Sequence, residues 1–198
     1  MHAGRRSETV TIYREAVRVS VSTGDWRLEV IDRNNLVDAL WQVGPIEDAA
    51  REACKLAEEL RARPAADPDM AVLFANLIGI LGEMGRIDDA SAAAREAIPV
   101  MRRARYTYIE EWVYLFWRRG QIDTATLLLG ASDAERVRFG TPHQENERRL
   151  IAEARAALEA RQHPDAFASG LAAGAALDEG EWLALISEAL AQPFGNHR

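Results

Sequence analysis

Few side chains in this sequence have the type and spacing needed for bond chemistry. The four histidines, His2, His143, His163 and His197, fall at the termini or in loops, and none has a partner at the three-to-five-residue spacing of a helical metal site. They read as surface residues, and no metal is expected. Glu110 and Glu111 are adjacent carboxylates, but neighbours on a helix point about 100° apart and do not converge on one substrate. They read as a solvated first turn. The Ser and Thr hydroxyls and the one thiol, Cys54, lack a nearby His and Asp framework, and no Gly-rich loop follows a strand. Cys54 sits inside a helical pattern as a small apolar residue, and alone it cannot form an intrachain disulfide. The densest chemical stretch is aromatic: "YTYIEEWVYLFW", residues 106 to 117, where Tyr108, Trp112, Leu115 and Phe116 at helical spacing read as core. Neither catalysis nor a cofactor is expected.

Those residues must be positioned by a globular chain. Hydrophobic residues make up 48% and charged residues 28% of the 198, values of a folding sequence and not of a disordered or fibrous one. A net charge of -7 argues against direct nucleic-acid contact, which needs clustered Lys and Arg. No run reaches the roughly 20 apolar residues of a membrane span, and "MHAGRRSETV" lacks a signal peptide's apolar centre. No membrane partner is expected, and the expected compartment is the cytoplasm.

The organising signal is repetition. Sliding the chain by 41 residues lays Asn35, Leu36, Leu40, Gly44, Ile46, Asp48, Ala49 and Ala53 onto Asn76, Leu77, Leu81, Gly85, Ile87, Asp89, Ala90 and Ala94. A further 35 carries Gly85, Ile87, Asp88 and Ala90 onto Gly120, Ile122, Asp123 and Ala125. A turn is thus written three times, "GPIEDAA", "GRIDDAS" and "GQIDTAT". The glycine ends a first helix in the left-handed conformation, and the Ile packs back across the turn. The acid (Glu47, Asp88 or Asp123) opens a second helix by accepting backbone N–H groups and complementing the positive end of the dipole, and the alanine lets the two helices cross closely. Pro64 and Pro68 interrupt helix between the first two units. No strand-like alternation of useful length occurs, so the expected class is all-α.

This spacing of Leu, Gly, Ala and Ala resembles the tetratricopeptide (TPR) repeat, whose unit is about 34 residues. The resemblance implies hairpins stacked in a right-handed α-solenoid, each burying its apolar face on the next. It divides the chain into an array over 1–140, with a partial repeat at 7–22 and repeats at about 26–63, 69–104 and 106–139, and a C-terminal helical extension over 141–198. The extension is expected to hold helices near 144–161, 165–175 and 179–191, with Pro142 and Pro164 near the first two starts and Asp178 as an N-cap. Residues 125–190 are also similar to the C-terminal end of large bacterial ATPase-containing signal-transduction and transcriptional regulators. That likeness rests on Leu129 and Gly130, Asp133 and Ala134, Arg136 and Arg138, Pro142 with Glu145, Gly174 and Leu177. The one lysine, Lys55, follows no glycine, so the phosphate-cradling G-x-x-x-x-G-K-[ST] loop of such regulators is missing from this sequence, as is a basic recognition helix.

In TPR arrays the concave face is lined by the first helix of each repeat. With Leu36, Leu77 and Trp112 set equivalent, the resemblance places Asn34, Asp38, Trp41 and Gln42, then Ala75, Gly79, Gly82 and Glu83, then Glu110, Tyr114, Trp117 and Arg118 in a peptide-binding groove. Glycine in a helix costs about 1 kcal/mol relative to alanine, so Gly79 and Gly82 suggest a flat floor approached by another backbone, between the aromatic walls Trp41 and Trp117. Close packing between helices of the stack is the alternative. At the other end, residues 7–22 read as the second helix of a hairpin whose first is absent. Its apolar face, Val10, Tyr13, Ala16 and Val17, is expected to be covered by a second copy in a homodimer. The expected function is protein or peptide binding, as the sensing or interaction arm of a bacterial regulator. The alternatives are a self-assembling scaffold or adaptor and, further off, a small-ligand receptor or helical enzyme.

Overall fold

The computed structural model describes residues 3–105, 109–140 and 144–193, with side chains from residue 8 onward. His2, Tyr108, Pro142, His143 and His197 lie outside the described residues. Among the described residues every regular element is a helix: α1 (Ala3–Thr23), α2 (Trp26–Val43), α3 (Ile46–Ala62), α4 (Asp67–Glu83), α5 (Ile87–Ala104), α6 (Glu110–Arg118), α7 (Ile122–Phe139), α8 (Glu145–Arg161), α9 (Pro164–Ala175) and α10 (Glu179–Ala191). The all-α class is therefore as expected.

Three hairpins, α2/α3, α4/α5 and α6/α7, turn at the three repeated motifs. At the second and third the chemistry is the anticipated one. Gly85 and Gly120 take φ of +74° and +75°, and the next amide reaches back five residues, Arg86 N to Leu81 O and Gln121 N to Phe116 O, both at 2.9 Å. Gly44 differs. It is extended, with ψ of -176°, because Pro45 follows and excludes helical conformations from the preceding residue. The acids of the motif keep the expected dipole role but not the capping one. Pro45, Arg86 and Gln121 occupy the N-cap positions without side-chain cap bonds, so Glu47, Asp88 and Asp123 sit in the first turn and act on the helix dipole.

The second helices are narrow where they cross. Ala49, Ala53, Ala90, Ala94, Ala97 and Ala125 are fully buried, which lets neighbours approach until Leu56, Leu73, Ile78, Ile80 and Leu128 interlock. Burying one such Leu or Ile stabilises by about 1.5–3 kcal/mol. Trp112, Leu115 and Phe116 are in this core, as read from the aromatic stretch. The first hairpin is closed by Arg33, a buried cation on α2 that donates to Glu52 (2.6 Å) and Glu59 (2.5 Å) of α3. Burial works to lower the Arg33 pKa, and the bonds to Glu59 and Glu52 outweigh it, raising the value.

α1 packs along α2. Val10 is buried, and Tyr13, Ala16 and Val17 are half-buried with Tyr13 and Val17 packed on the core. The expected open apolar face is thus turned inward onto the chain's own α2, because 10, 13, 17 and the fully buried Ser20 share one side of the helix. Among the described residues of α1, the large apolar side chains left exposed are Ile12, Val19 and Val21.

The three helices of the extension begin and end within one residue of their expected limits. Asp178 caps α10 through a bond from Glu181 N (2.9 Å), with Glu181 returning to Asp178 N. α8 lies against α6, α7 and α2, with its polar edge on the first-helix side, while α9 lies against α7 and α10 against α5 and α7. The α10 C-terminus is held by Arg119, a buried arginine that donates to Gln192 O (2.9 Å), Ala189 O (3.4 Å) and Ser91 Oγ (2.6 Å).

Candidate functional site

The site is the face shared by the first helices α2, α4 and α6, and it is built from the residues that the repeats align. Helical periodicity puts Asn34, Asp38 and Trp41 on one side of α2 and Gly79, Gly82 and Glu83 on one side of α4. Tyr114, Trp117 and Arg118 fall together on α6.

The structure corrects the picture of a flat glycine floor. A Cβ at Gly79 would stand 2.9 Å from Trp41 Cζ2 and from Glu111 Cγ, so that glycine receives the Trp41 indole and the Glu111 stem. A Cβ at Gly82 would stand 3.3 Å from Tyr114 Cδ1. Both glycines are occupied from within the stack by side chains, and no second backbone approaches them. Trp41 is itself buried, its Nε1 donating to Glu83 Oε2 at 2.8 Å. Asn34 is buried with Nδ2 on Asp69 O (2.9 Å), and Ala75 is buried.

What covers this face is α8. Asn146 Nδ2 donates to Asp38 Oδ1 (2.9 Å), and Arg149 grips both oxygens of Glu83, with Nη2 to Oε2 at 2.8 Å. Burial works to raise the Glu83 pKa, but the bonds from Arg149 and Trp41 outweigh it and lower the value. Asp38 goes the other way: burial raises it despite bonds from Asn146 and Gln42. At the aromatic end Trp117 and Arg118 stay half-open over the buried Tyr114. Tyr114 and Trp117 meet edge-on at 5.2 Å, Arg118 stands 5.7 Å from each ring and donates to Tyr114 Oη (3.0 Å), and Gln42 is exposed.

Behind α8 lies a buried ionic cluster that sequence reasoning misread. Glu110 and Glu111, expected in solvent, are 1% and 3% exposed. They point apart, as neighbours on a helix must, but α6 is enclosed by α4 on one side and by α7 and α8 on the other, so both directions are interior. Arg136 of α7 joins Glu110 (2.5 Å) to Glu147 of α8 (2.7 Å), and Ser132 Oγ adds a bond to Glu110 (3.1 Å). Glu147 also caps its own helix by accepting from Gln144 N at 2.8 Å. Glu111 shares this space. Burial first, then the charges of Glu147 and Glu110, push its carboxyl well above the usual range, and a neutral acid there avoids a third buried negative charge. Arg136 was noticed only as part of the tail likeness; Asn146, Glu147 and Arg149 were missed, although the Gln144 to Glu147 capping pair is a local signal, beside Pro142, of where α8 begins.

Elsewhere the chemistry is sparse. Cys54 is half-buried beside a cavity of about 190 Å³ between α3 and α5, with its thiol pKa raised by burial. His163 is exposed and caps α9 through Nδ1. Among the described residues no group of three or more His, Cys, Asp or Glu could hold a metal ion, and no helix is long and apolar enough to cross a membrane. Comparison of the chain with protein-family models, with curated proteins and with solved structures finds no match.

Proposed function

We propose that this chain is a protein- or peptide-binding module whose hairpins form a TPR-like right-handed solenoid and whose α2/α4/α6 face is the recognition surface. The observation that carries the reading is that this face already grips a helix, α8, through a polar code of paired groups, Asp38 to Asn146 and Glu83 to Arg149. Such pairs set register and choice of partner more than raw affinity. Half-open Trp117 and Arg118, backed by the buried Tyr114 ring, supply the aromatic and arginine anchors that carry interface energy elsewhere. The tail's likeness to bacterial regulators gives the context, an interaction arm acting in the cytoplasm.

A photoreactive amino acid at exposed Gln42, introduced in the producing cell, tests this. Specific crosslinks to a second protein that vanish in Glu83→Arg are expected. Crosslinks that are unaffected by Glu83→Arg would end the reading.

A second reading has its own observation. Ile12 and Val19, seven residues apart on one side of α1, are 60% and 45% exposed, which favours a self-assembling scaffold. Light scattering on the intact chain and on Ile12→Glu/Val19→Glu decides it: a dimer lost in the variant supports the scaffold, and a monomeric intact chain removes it.

A further inference from the structure

Resting on that reading, we infer that α8 is an internal ligand of the α2/α4/α6 face, and that the external partner is an amphipathic helix of the same design. That design is an amide followed directly by an acid for Arg136 and, three residues after the amide, an arginine, ahead of a short apolar stripe. Three observations converge on it.

First, α8 is equipped to be a helix without the rest of the fold. Of its 17 residues, all but Asn146 and Ile151 are strong helix formers, five of them alanine. The Gln144 and Glu147 capping box closes its N-terminus from within, and Glu145 and Arg148 pair one turn apart. A segment that keeps its helix when undocked can leave and return at low ordering cost.

Second, its contacts are those of a peptide in a groove. One edge presents Asn146 to Asp38 and Arg149 to Glu83, and beside it Leu150, Ile151, Ala154 and Leu158 are buried at helical spacing. Apolar anchors at that spacing with flanking polar pairs are how helices are read by grooves. The acceptors on the face, Asp38 and Glu83, are carboxylates, so a helix with acids at the Asn146 and Arg149 positions is refused.

Third, what the α8 contact demands is a set of side chains: besides Asn146 and Arg149, it uses Glu147 on Arg136, Arg155 on Asp133 and Gln162 on Thr126, all of which a helix of like sequence can carry. Those bonds all run between side chains, whereas α9 is fitted to α7 through glycines that an ordinary helix lacks: a Cβ at Gly130 would stand 2.9 Å from the Leu171 carbonyl carbon, and one at Gly174 would stand 2.7 Å from that of Leu127. A helix carrying the same edge can therefore replace α8 contact for contact. Because α8 is tethered, its effective concentration is of millimolar order, and a partner must exceed it, with the half-open Trp117 and Arg118 end as the place for added contacts.

The test uses a fluorescent peptide of residues 144–162 added to the full chain. Unaltered protein should bind it weakly, and Asn146→Ala/Arg149→Glu, whose own α8 is loosened, should bind it at least tenfold more tightly. Glu83→Arg should reject that peptide and accept one carrying R149E. Equal binding by the intact chain and the loosened variant, or no binding to either, overturns the inference, as does a loosened variant that dimerises by exchanging α8, which would make a second copy the occupant. Should the variants lose their helical circular dichroism, the unaltered chain with millimolar peptide decides the matter: faster amide exchange in α8 with α6 unchanged supports displacement, and unchanged α8 overturns it. Peptide failure alongside Gln42 crosslinks to a partner would end this inference and leave the proposed function standing. Peptide binding without cellular crosslinks would end the proposed function and, with it, the external partner inferred here.

Discussion

α8 and α9 sit on opposite sides of the last hairpin and are held by opposite means. α8 meets the first-helix face through ion pairs, amides and a stripe of aliphatic side chains, with Arg136 and Glu147 joining it to Glu110 underneath. α9 meets α7 with almost nothing between the backbones. Gly130, Gly170 and Gly174 remove side chains where Leu171, Thr126 and Leu127 press in, and of the α9 side chains only Phe167 is buried. The difference teaches which contacts can be copied. Side-chain pairs can be supplied by another helix, while a glycine crossing demands small residues at fixed positions on both partners.

The largest effect is expected where the polar side of that contrast is deepest. Arg136→Ala leaves Glu110 and Glu147 buried without their shared cation, and breaking a buried pair in this way costs about 3–5 kcal/mol. Urea unfolding should show a loss of that size, and a loss under about 1 kcal/mol would mean that water reaches the cluster. On the α9 side, Gly174→Val forces a side chain into the Leu127 carbonyl, and overpacking of this kind costs about 1–3 kcal/mol. Amide protection should fall in α9 and persist in α8. Equal loss in both would erase the distinction between them.

A pH experiment sharpens the comparison. The folded-state pKa of Glu111 is raised above its ordinary 4.5, so its contribution to stability is fully present below that value and is lost as pH rises through the folded pKa. Glu83, with a lowered pKa, behaves oppositely and weakens the α8 contact as pH falls below 4.5. Glu111→Gln should therefore flatten the decline on the alkaline side while leaving the acid limb in place. An unchanged alkaline limb would show that Glu111 ionises freely. The smallest effect belongs to Gly82→Ala, where a gain of about 1 kcal/mol in helix propensity is offset by crowding Tyr114, so the net change should stay under about 1 kcal/mol. Gly79→Ala, facing Trp41 and Glu111, should destabilise more.

How much of this was legible follows from the range of each interaction. Gly85 and Gly120 were readable because a helix C-cap is settled within six residues, and Gly44 departed because Pro45 overrides its conformation. The limits of α8, α9 and α10 were readable from prolines and caps. The burial of Glu110 and Glu111 was not, since it depends on Arg136 arriving from 26 residues away and Glu147 from another helix. The glycines mark the same boundary. Gly79 and Gly82 drew attention as a place for a foreign backbone, yet side chains fill them, while the backbone contact falls at Gly130 and Gly174, 44 residues apart in the chain. Local rules identify that a glycine is needed and leave its neighbour to tertiary packing.

On this reading α8 is a replaceable occupant of the α2/α4/α6 face, while α9, crossed on α7 through Gly130 and Gly174, is a fixed part of the fold. Native-state hydrogen exchange on the unaltered chain tests it most directly. α8 amides should exchange through a local opening whose free energy lies below that of α6, with α9 exchanging together with α7. Protection of α8 equal to that of α6, lost only on global unfolding, would contradict the account.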